Sequence, residues 1–356
     1  KKSASLFINF ETPNPQLPNS PSPHHPITPS PHHPITPSPH HPITSPEEMD
    51  SATFTLTVPA TTANLGSGFD CIGLALAMYN QFTFTRLTDS TAPPVTIKVS
   101  GTEAERVETN ENNLVYQSFA KFYDRIGQIP PPIAIEIKLG IPLARGLGSS
   151  ATAIAGGLVG ANLLAGKPLS STEVIKLAIA LEGHPDNIVP ALLGGCLLSA
   201  SNGADWSICE IPWHPNIVPV IAIPDFELST QEARRVLPTE YSRADAIFNI
   251  AHFGLLLRGL ETGKAEWIAT ALQDKIHQPY RKVLIPGYDT VEAAARRAGA
   301  YGMVISGAGP TLLALAPPAA AEKVAQAMEK AWQTVGIGAT AQAIAIDNQG
   351  TGNFKN

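Results

Sequence analysis

The glycine-rich stretch Gly140 to Gly148 runs straight into Ser149 to Leu164, a helix-length segment of alanine, glycine and leucine without one charged side chain. A helix that is apolar all round has to be buried on several sides, so the fold must wrap packed layers around it. The chain has the means: 356 residues, 44% hydrophobic and only 15% charged side chains. That fills one large or two ordinary domains and excludes a mainly disordered protein. No uninterrupted apolar run reaches the length of a membrane span.

Upstream the pattern is different in kind. Pro21 to Thr44 is three perfect copies of PSPHHPIT. With so many fixed φ angles and missing amide donors, residues 1–48 read as an extended, polyproline-like or disordered tail. The pairs His24-His25, His32-His33 and His40-His41 could hold a soft metal, but adjacent histidines on such a chain are more often incidental. The repeats, Lys1 in first place and Met49 directly before the globular pattern lead us to expect a translated upstream repeat with Met49 as the true start.

From Ala52 onward Phe54, Leu56 and Val58 alternate with threonine as a strand, and Gln81 to Leu87 reads as another. Asn112 or Asn113 caps a helix running to about Ile126, Ile133 to Leu139 alternates as a strand, and a helix at Thr172 to Leu181 follows the buried one. A strand pair is expected at Gly195 to Ala200 and Trp206 to Ile211. Beyond Pro212 come a strand at Ile217 to Ile223, helices across Tyr241 to Leu272, a helix near Thr290 to Ala298, and strands at Met303 to Ser306 and Thr311 to Ala316. A helix at Ala319 to Thr334 and a strand at Ala341 to Ile346 complete the order. This is an α+β arrangement, not a βα alternation. We divide it into lobes at 49–212 and 213–347, with a flexible C-terminus at 348–356 and the site between the lobes.

A net charge of −6 and the lack of any dense Lys/Arg run argue against nucleic acid or an anionic membrane as partner, so small-molecule chemistry is favoured. Cys71, Cys196 and Cys209 are an odd set without metal-type spacing, which suits a reducing compartment and gives neither disulfide framework nor zinc site. No basic region followed by an apolar one marks a secretory signal, and a cytoplasmic location is expected.

Pro142-Leu-Ala-Arg-Gly146-Leu-Gly148-Ser149-Ser150-Ala151 puts two glycines and two serines where a loop meets a helix. Free amides and the positive end of the helix dipole make an anion site there, and the hydroxyls can add hydrogen bonds or hold a cation. No Lys-Ser/Thr follows, so it is not a Walker A loop, and an acidic residue to support a dinucleotide fingerprint is missing. Taken alone the turn could equally be a tight lead into a packed helix. Glu182-Gly-His184-Pro-Asp186-Asn187 packs two carboxylates, an imidazole and an amide into six residues; Glu182 can ligate a hard cation, and Asn187 or Asp186 can orient a hydroxyl, while capping and solvation are the bland alternatives. Ser306-Gly307-Ala308-Gly309-Pro310 is either a second phosphate or carboxylate loop or a hairpin turn. Thr230 and Arg234 share one face if 229–236 is helical, and with Arg281 they give two guanidiniums for a carboxylate or phosphate.

In order, Pro59-Ala-Thr-Thr-Ala-Asn64-Leu-Gly66-Ser-Gly68-Phe-Asp70, the Pro142–Ala151 loop, Glu182 to Asn187 running into Pro190 to Gly195, and Ser306 to Pro310 resemble the GHMP kinase superfamily. The segments Asn64 to Asp70, Glu182 to Asn187, Ser229 to Arg234 and Gln278 to Arg281 are similar to the substrate side of its homoserine kinase family. The resemblance covers residues 52–347. It implies a two-lobed α+β kinase, its N-terminal lobe of the ribosomal-protein-S5-domain-2-like type and its C-terminal lobe ferredoxin-like, often dimeric. It would move the γ-phosphoryl group of ATP to the side-chain hydroxyl of L-homoserine, the step committed to threonine.

Carried onto this sequence, Pro142, Leu143, Ala144, Arg145, Gly146, Leu147, Gly148, Ser149, Ser150, Ala151 and Thr152, with Gly307 and Gly309, would wrap the ATP phosphates. Ser150 and Glu182 would hold Mg²⁺, and Asn113 or Asn112 would lie near the adenine. Asn64, Asp70, His184, Asn187, Arg234 and Arg281 match positions lining the homoserine pocket, with Thr230 near the transferring group. Asp70 would meet the substrate ammonium, Arg234 and Arg281 its carboxylate, and Asn187 its hydroxyl. The family relies on positioning and charge stabilisation, which agrees with a loose transition state, and Asp186 is a candidate base only by analogy with relatives that use an aspartate. The rivals are a mevalonate-type or sugar kinase of the same superfamily, a ligand sensor without turnover, and a dinucleotide-dependent oxidoreductase. An unpaired Asp70 in the pocket would favour an amino acid by penalising a substrate without an ammonium.

Overall fold

Strands β1 (Thr53–Ala63) and β2 (Ile72–Arg86) pair antiparallel along almost their whole length, with a register shift at Pro59/Ala60, where a missing amide donor is tolerated. They begin the part of the chain that a computed structural model describes, residues 53–89, 91–203 and 205–355. The Pro/His repeat and the proposed start at Met49 lie outside the described residues. After β2 come β3 (Val95–Gly101), α1 (Leu114–Arg125), β4 (Ile133–Leu139), α2 (Ser149–Leu164), α3 (Ser171–Glu182), α4 (Pro185–Leu193), β5 (Cys196–Ser201) and β6 (Trp206–Glu210). The first sheet runs β3-β4-β2-β5-β6 with β1 added on β2, and β3 lies parallel to β4.

Helix α2 shows why its sequence is so small. A Cβ on Gly156 would lie 2.8 Å from the Phe82 ring, one on Gly160 2.4 Å from Phe84, and one on Gly157 2.3 Å from the Val115 carbonyl of α1. The helix is wedged between β2 and α1, and only glycine lets both neighbours come so close. Phe82, Phe84, Phe119 and Phe122 are all essentially buried in this core.

The chain continues with β7 (Val218–Pro224), α5 (Thr230–Arg235), α6 (Arg243–Thr262), α7 (Ala265–Ala271), α8 (Gln278–Arg281), α9 (Tyr288–Ala298), β8 (Gly302–Ile305), β9 (Leu312–Ala316), α10 (Ala321–Thr334) and β10 (Ala339–Ala343). The second sheet is antiparallel in the order β10-β7-β9-β8. With α9 before β8 and α10 before β10 this is the βαββαβ order of a ferredoxin-like unit, with α5 to α8 inserted after β7. The expected α+β class with two different sheets is what the chain adopts. The sheets change over between Glu210 and Val218, and we propose the lobe boundary near residue 212.

Three elements are new relative to the sequence reading, β3, α4 and the single turn α8. β3 buries only Ile97, so it lacks a clear alternation. α4 starts with a proline, contains Pro190, and follows a left-handed Gly183, so it reads as a break instead of a helix. The C-terminal 348–356 segment is a correction: over 348–355 it is docked, not flexible. Thr351 donates its amide to Leu192, Gly352 donates to Thr57, and Phe354 is buried in the first-lobe core. One aromatic anchor among small polar residues leaves too little periodicity to announce this from sequence.

Candidate active site

The loop before α2 is shaped by backbone. Gly148 has φ 69° and a Cβ there would fall 2.0 Å from Thr61 Oγ1, so no other residue fits without displacing the Thr61 side chain. Thr61 donates its amide to the Leu147 carbonyl, fixing the loop on the sheet. Asn80 accepts the amides of Gly140 and Ile141 and donates to Thr152, bracing the loop and the first helical turn together. Ser306 donates to the Gly146 carbonyl at 2.7 Å and lies 2.8 Å from Thr62 Oγ1, so the Ser306–Pro310 loop closes against the loop before α2. Thr61 and Ser306 stood inside motifs read from sequence without a role of their own and Asn80 was not singled out, because their work is done through contacts far along the chain.

Ala144, Arg145, Gly146, Gly148, Ser149 and Ser150 face a cleft of about 330 Å³, and Gly307 closes it from the opposite side. Pro142, Leu147, Ala151 and Thr152 do not line it. Leu147 and Ala151 are buried in the core and Thr152 is spent on the Ser149 carbonyl. Gly309 is also withdrawn, its Cβ direction pointing at Ile285 and Ile305. The Arg145 guanidinium turns away from the cleft to the carbonyls of Pro224, Leu143 and Asp225 and to Glu103 and Glu227. It ties the loop to the end of β7, leaving only its backbone for an anion.

At the helix end, Ser150 Oγ donates to Glu182 Oε2 at 3.0 Å, so the two residues read as a cation pair converge. Burial pushes the Glu182 carboxyl upward, against the lowering by His184 and by the Ser150 hydrogen bond. A divalent cation would relieve that desolvation, and two hard oxygen donors suit Mg²⁺. Beside the cleft a second hollow of about 280 Å³ shares Ser149 and Ser150 and is lined by Val107, Asn112, Asn113 and Leu143 among others. Asn113 caps α1 through its side chain, accepting the Val115 amide, and donates to Glu108 O.

The other end of the cleft is made of side chains. Asn64, at φ 74°, donates to Gly307 O and accepts the Asp70 amide, holding the 64–70 turn shut. Asp70 and Arg234 form a two-point ion pair of 3.0 and 2.8 Å. The expectation of a carboxylate waiting unpaired for an ammonium is therefore corrected: Asp70 already has a partner from α5, whose Ser229–Glu232 capping box sets the position of Arg234. Arg281 is buried, donating to Ala233 O and Gly307 O, and its guanidinium and that of Arg234 lie 5.1 and 5.7 Å from the Phe69 ring centre. Burial and the nearby Arg234 charge lower Arg281 to about 10. His277 stacks on Phe69 and donates from Nε2 to Gly66 O; burial first, with Arg281 adding, holds it near 4 and therefore neutral. Asp274 accepts the amides of His277 and Gln278 and the side chain of Asn249, completing a buried polar floor under the turn.

On α4, His184 Nδ1 lies 2.5 Å from Asp186 Oδ1, Asn187 donates to the same oxygen at 3.3 Å, and Thr61 donates to Asn187 Oδ1 at 2.9 Å. Burial lowers the His184 pKa, but the Asp186 hydrogen bond and the charges of Asp186, Glu182 and Asp70 outweigh it and raise the group overall. Ligand atoms of Asp70, His184 and Asp186 fall within 4.8 Å of one another. Thr230, first residue of α5, also faces the cleft.

Two family descriptions match the chain, GHMP kinases N terminal domain over residues 113–195 and GHMP kinases C terminal over 256–334. A homoserine kinase of Microchaete diplosiphon is 68% identical over 85% of this chain and 98% of its own length. The chain belongs to the homoserine kinase family of the GHMP kinases. Another member, from Nostoc punctiforme, is 66% identical over 85% of this chain and 99% of its own. The crystal structure of homoserine kinase from Cytophaga hutchinsonii superposes with a TM-score of 0.76 at 31% identity, covering 84% of this chain and 96% of that one. The GHMP kinase fold of this family is the two-sheet α+β architecture described above.

Proposed function

We propose that the chain is an ATP-dependent homoserine kinase, transferring the γ-phosphoryl group to the side-chain hydroxyl of L-homoserine and so feeding threonine synthesis. The observation that carries the reading is one cleft bounded at one end by the amide-rich loop and the Ser150–Glu182 pair and at the other by Asp70, Arg234 and Arg281. The phosphates of ATP would lie against the N-terminus of α2, with the adenine in the hollow beside Asn112 and Asn113. Ser150 and Glu182 would hold Mg²⁺, which supplies charge neutralisation to the phosphate oxygens. Arg281 and Arg234 would take the substrate carboxylate, and Asp70 its ammonium; the zwitterion would thus replace each partner of the Asp70–Arg234 pair with a charge of its own.

In the transfer the bond from the γ-phosphorus to its bridging oxygen would break, ADP leaving with the electron pair, as the homoserine oxygen bonds to that phosphorus, and the hydroxyl proton would pass late to an oxygen of the transferred phosphoryl group. Asn187, oriented by Thr61 and Asp186, is placed to hold the hydroxyl, and Thr230 to meet the moving phosphoryl group. Asp186 is given an orienting role through His184 and Asn187. Catalysis then rests on positioning and charge. The protein acts in the cytoplasm, as a homodimer. Among the described residues no helix is long and apolar enough to cross a membrane.

The test is ADP release with Mg-ATP and L-homoserine, D-homoserine, L-serine, L-threonine, mevalonate or galactose, for the full chain and one beginning at Met49. Turnover confined to L-homoserine in both is expected. Turnover with another alcohol while L-homoserine is inert would keep the GHMP kinase family and remove the substrate assignment.

A further inference from the structure

Helices α3 and α4 make a hairpin whose turn carries Glu182, His184, Asp186 and Asn187, while its open end lies at Ser171 and Leu193. An α-helix leaves its last four carbonyls without partners. In α4 the Pro190 carbonyl receives the Gly194 amide, but Ala191 and Leu192 are both answered by Thr351, the first by its hydroxyl at 2.9 Å and the second by its amide at 3.1 Å. The cap therefore comes from 160 positions along the chain. The contact is backbone on backbone. A Cβ on Gly194 (φ 72°) would fall 2.6 Å from the Gly350 nitrogen, and one on Gly350 (φ 75°) 2.3 Å from the Leu192 carbonyl oxygen. Asp347 is buried and bends the chain into this contact, accepting the amides of Gln349 and Gly350 and the Tyr79 hydroxyl. At the other helix Ser171, first residue of α3, donates its hydroxyl to Phe354 O at 3.4 Å, and Phe354 shares a core with Val174, Ala178, Val189 and Leu192. The segment arrives from the second sheet: Ile344 donates its amide to Pro219 of β7, and the next residue accepts the Ala77 amide of β2.

We propose that residues 347–354 are a strap that positions the α3–α4 hairpin for phosphoryl transfer, with Gly350 and Thr351 as positioning residues that act through the two helices on Glu182 and Asn187. The proposal rests on the kinase reading above. At the turn, Glu182 Oε2 has to stay at 3.0 Å from Ser150 Oγ and Asn187 Oδ1 at 2.9 Å from Thr61 Oγ1. Helix α4 has only 9 residues and contains Pro190, which has no amide to donate, so its own bonding holds its far end weakly. The strap supplies what the helix lacks. In a close-packed interior a shift at the capped end is passed along so short an element to the turn. Because the strap leaves the second sheet, it also ties Glu182 and Asn187 to the lobe that brings Thr230, Arg234 and Arg281 to the same cleft. Misplacement of the turn weighs on the transfer step, which depends on alignment, more than on acceptor binding.

The experiment takes two readouts on Gly350→Ala, Thr351→Val and Thr351→Ser in the full chain. In calorimetry Mg²⁺ should tighten ADP binding to the parent; Gly350→Ala and Thr351→Val should cut that tightening about threefold while the affinity for ADP alone holds. In steady-state kinetics Gly350→Ala should lower kcat about tenfold and Thr351→Val about threefold, with KM for L-homoserine changed less than about twofold. Thr351→Ser keeps the hydroxyl and should recover the parent values in both. Thr351→Val changes shape least and carries the comparison if Gly350→Ala does not fold. Val324→Ala, in the buried face of α10 and away from the strap, is the control: it should lower the melting temperature and leave both readouts at parent values. Strap variants that melt lower but keep the parent kcat and the parent Mg²⁺ effect would overturn the proposal by making the strap merely structural. A Thr351→Ser chain as slow as Thr351→Val would overturn it too. Failure of the substrate assignment shows differently, as a parent chain inert with L-homoserine, and the calorimetric arm, which needs no acceptor, still decides the strap.

Discussion

The two ends of the cleft are built by different means. The end proposed for the phosphates is backbone: Gly148 in a left-handed conformation against Thr61, amides at the start of α2, and a carbonyl braced by Ser306. The end proposed for the substrate is side chain, Asp70 ion-paired with Arg234 and His184 hydrogen-bonded to Asp186, over a floor of buried polar groups. Backbone is rigid and cannot be traded one side chain at a time. An ion pair about one-third exposed can exchange partners with a zwitterion at little net cost, since each charge lost is replaced. On the proposed function the first end would accept any polyphosphate and the second would discriminate.

The sharpest way to break this contrast is Gly148→Ala. The methyl group has to displace Thr61 Oγ1, which also holds Asn187, in a conformation that costs an L-residue about 1 to 2 kcal/mol. We expect roughly a 100-fold drop in kcat/KM, shared by every phosphoryl acceptor, with near-normal melting. Steady-state kinetics with varied ATP and varied homoserine checks it; a defect confined to homoserine would dissolve the division of labour. Asp70→Asn should act more narrowly, leaving Arg234 without its counter-charge and raising the KM for L-homoserine about 10-fold while the KM for ATP holds. Equal changes in both constants would show that the pair supports the loop instead of the substrate.

The same contrast explains what the sequence could say. The boundaries of β4 and α2 were readable to the residue because alternation and an uncharged run report burial directly. The loop-to-helix entry at Gly146 to Ser150 was readable because glycines and serines punctuate the start of an uncharged helix. At the other end the residues named from sequence do gather at the cleft, but nothing local to Asp70 reveals that Arg234, 164 positions later, is its ion-pair partner. Arg145 misled for the same reason: its carbonyl partners Pro224 and Asp225 are brought in only by the second sheet. Phe354 and β3 were silent because one buried residue among polar neighbours makes no period.

The smallest expected effect probes the His184–Asp186 pair. His184 occupies the N-cap of α4, where the helix dipole disfavours a cation, and burial disfavours it as well; the carboxylates of Asp186, Glu182 and Asp70 overcome both and raise its pKa above 6.5. A folded-state pKa above the unfolded one means that the native protein binds the extra proton. The stabilisation is therefore full below about 6.5 and is lost as pH rises through the raised value. The melting temperature of the parent chain should thus exceed that of His184→Gln most at mildly acidic pH, and the gap should close as the solution becomes alkaline. A gap that widened with pH would mean that the imidazole is neutral and merely caps α4, and Asp186 would then be a free carboxylate at the hydroxyl instead of one arm of an ion pair.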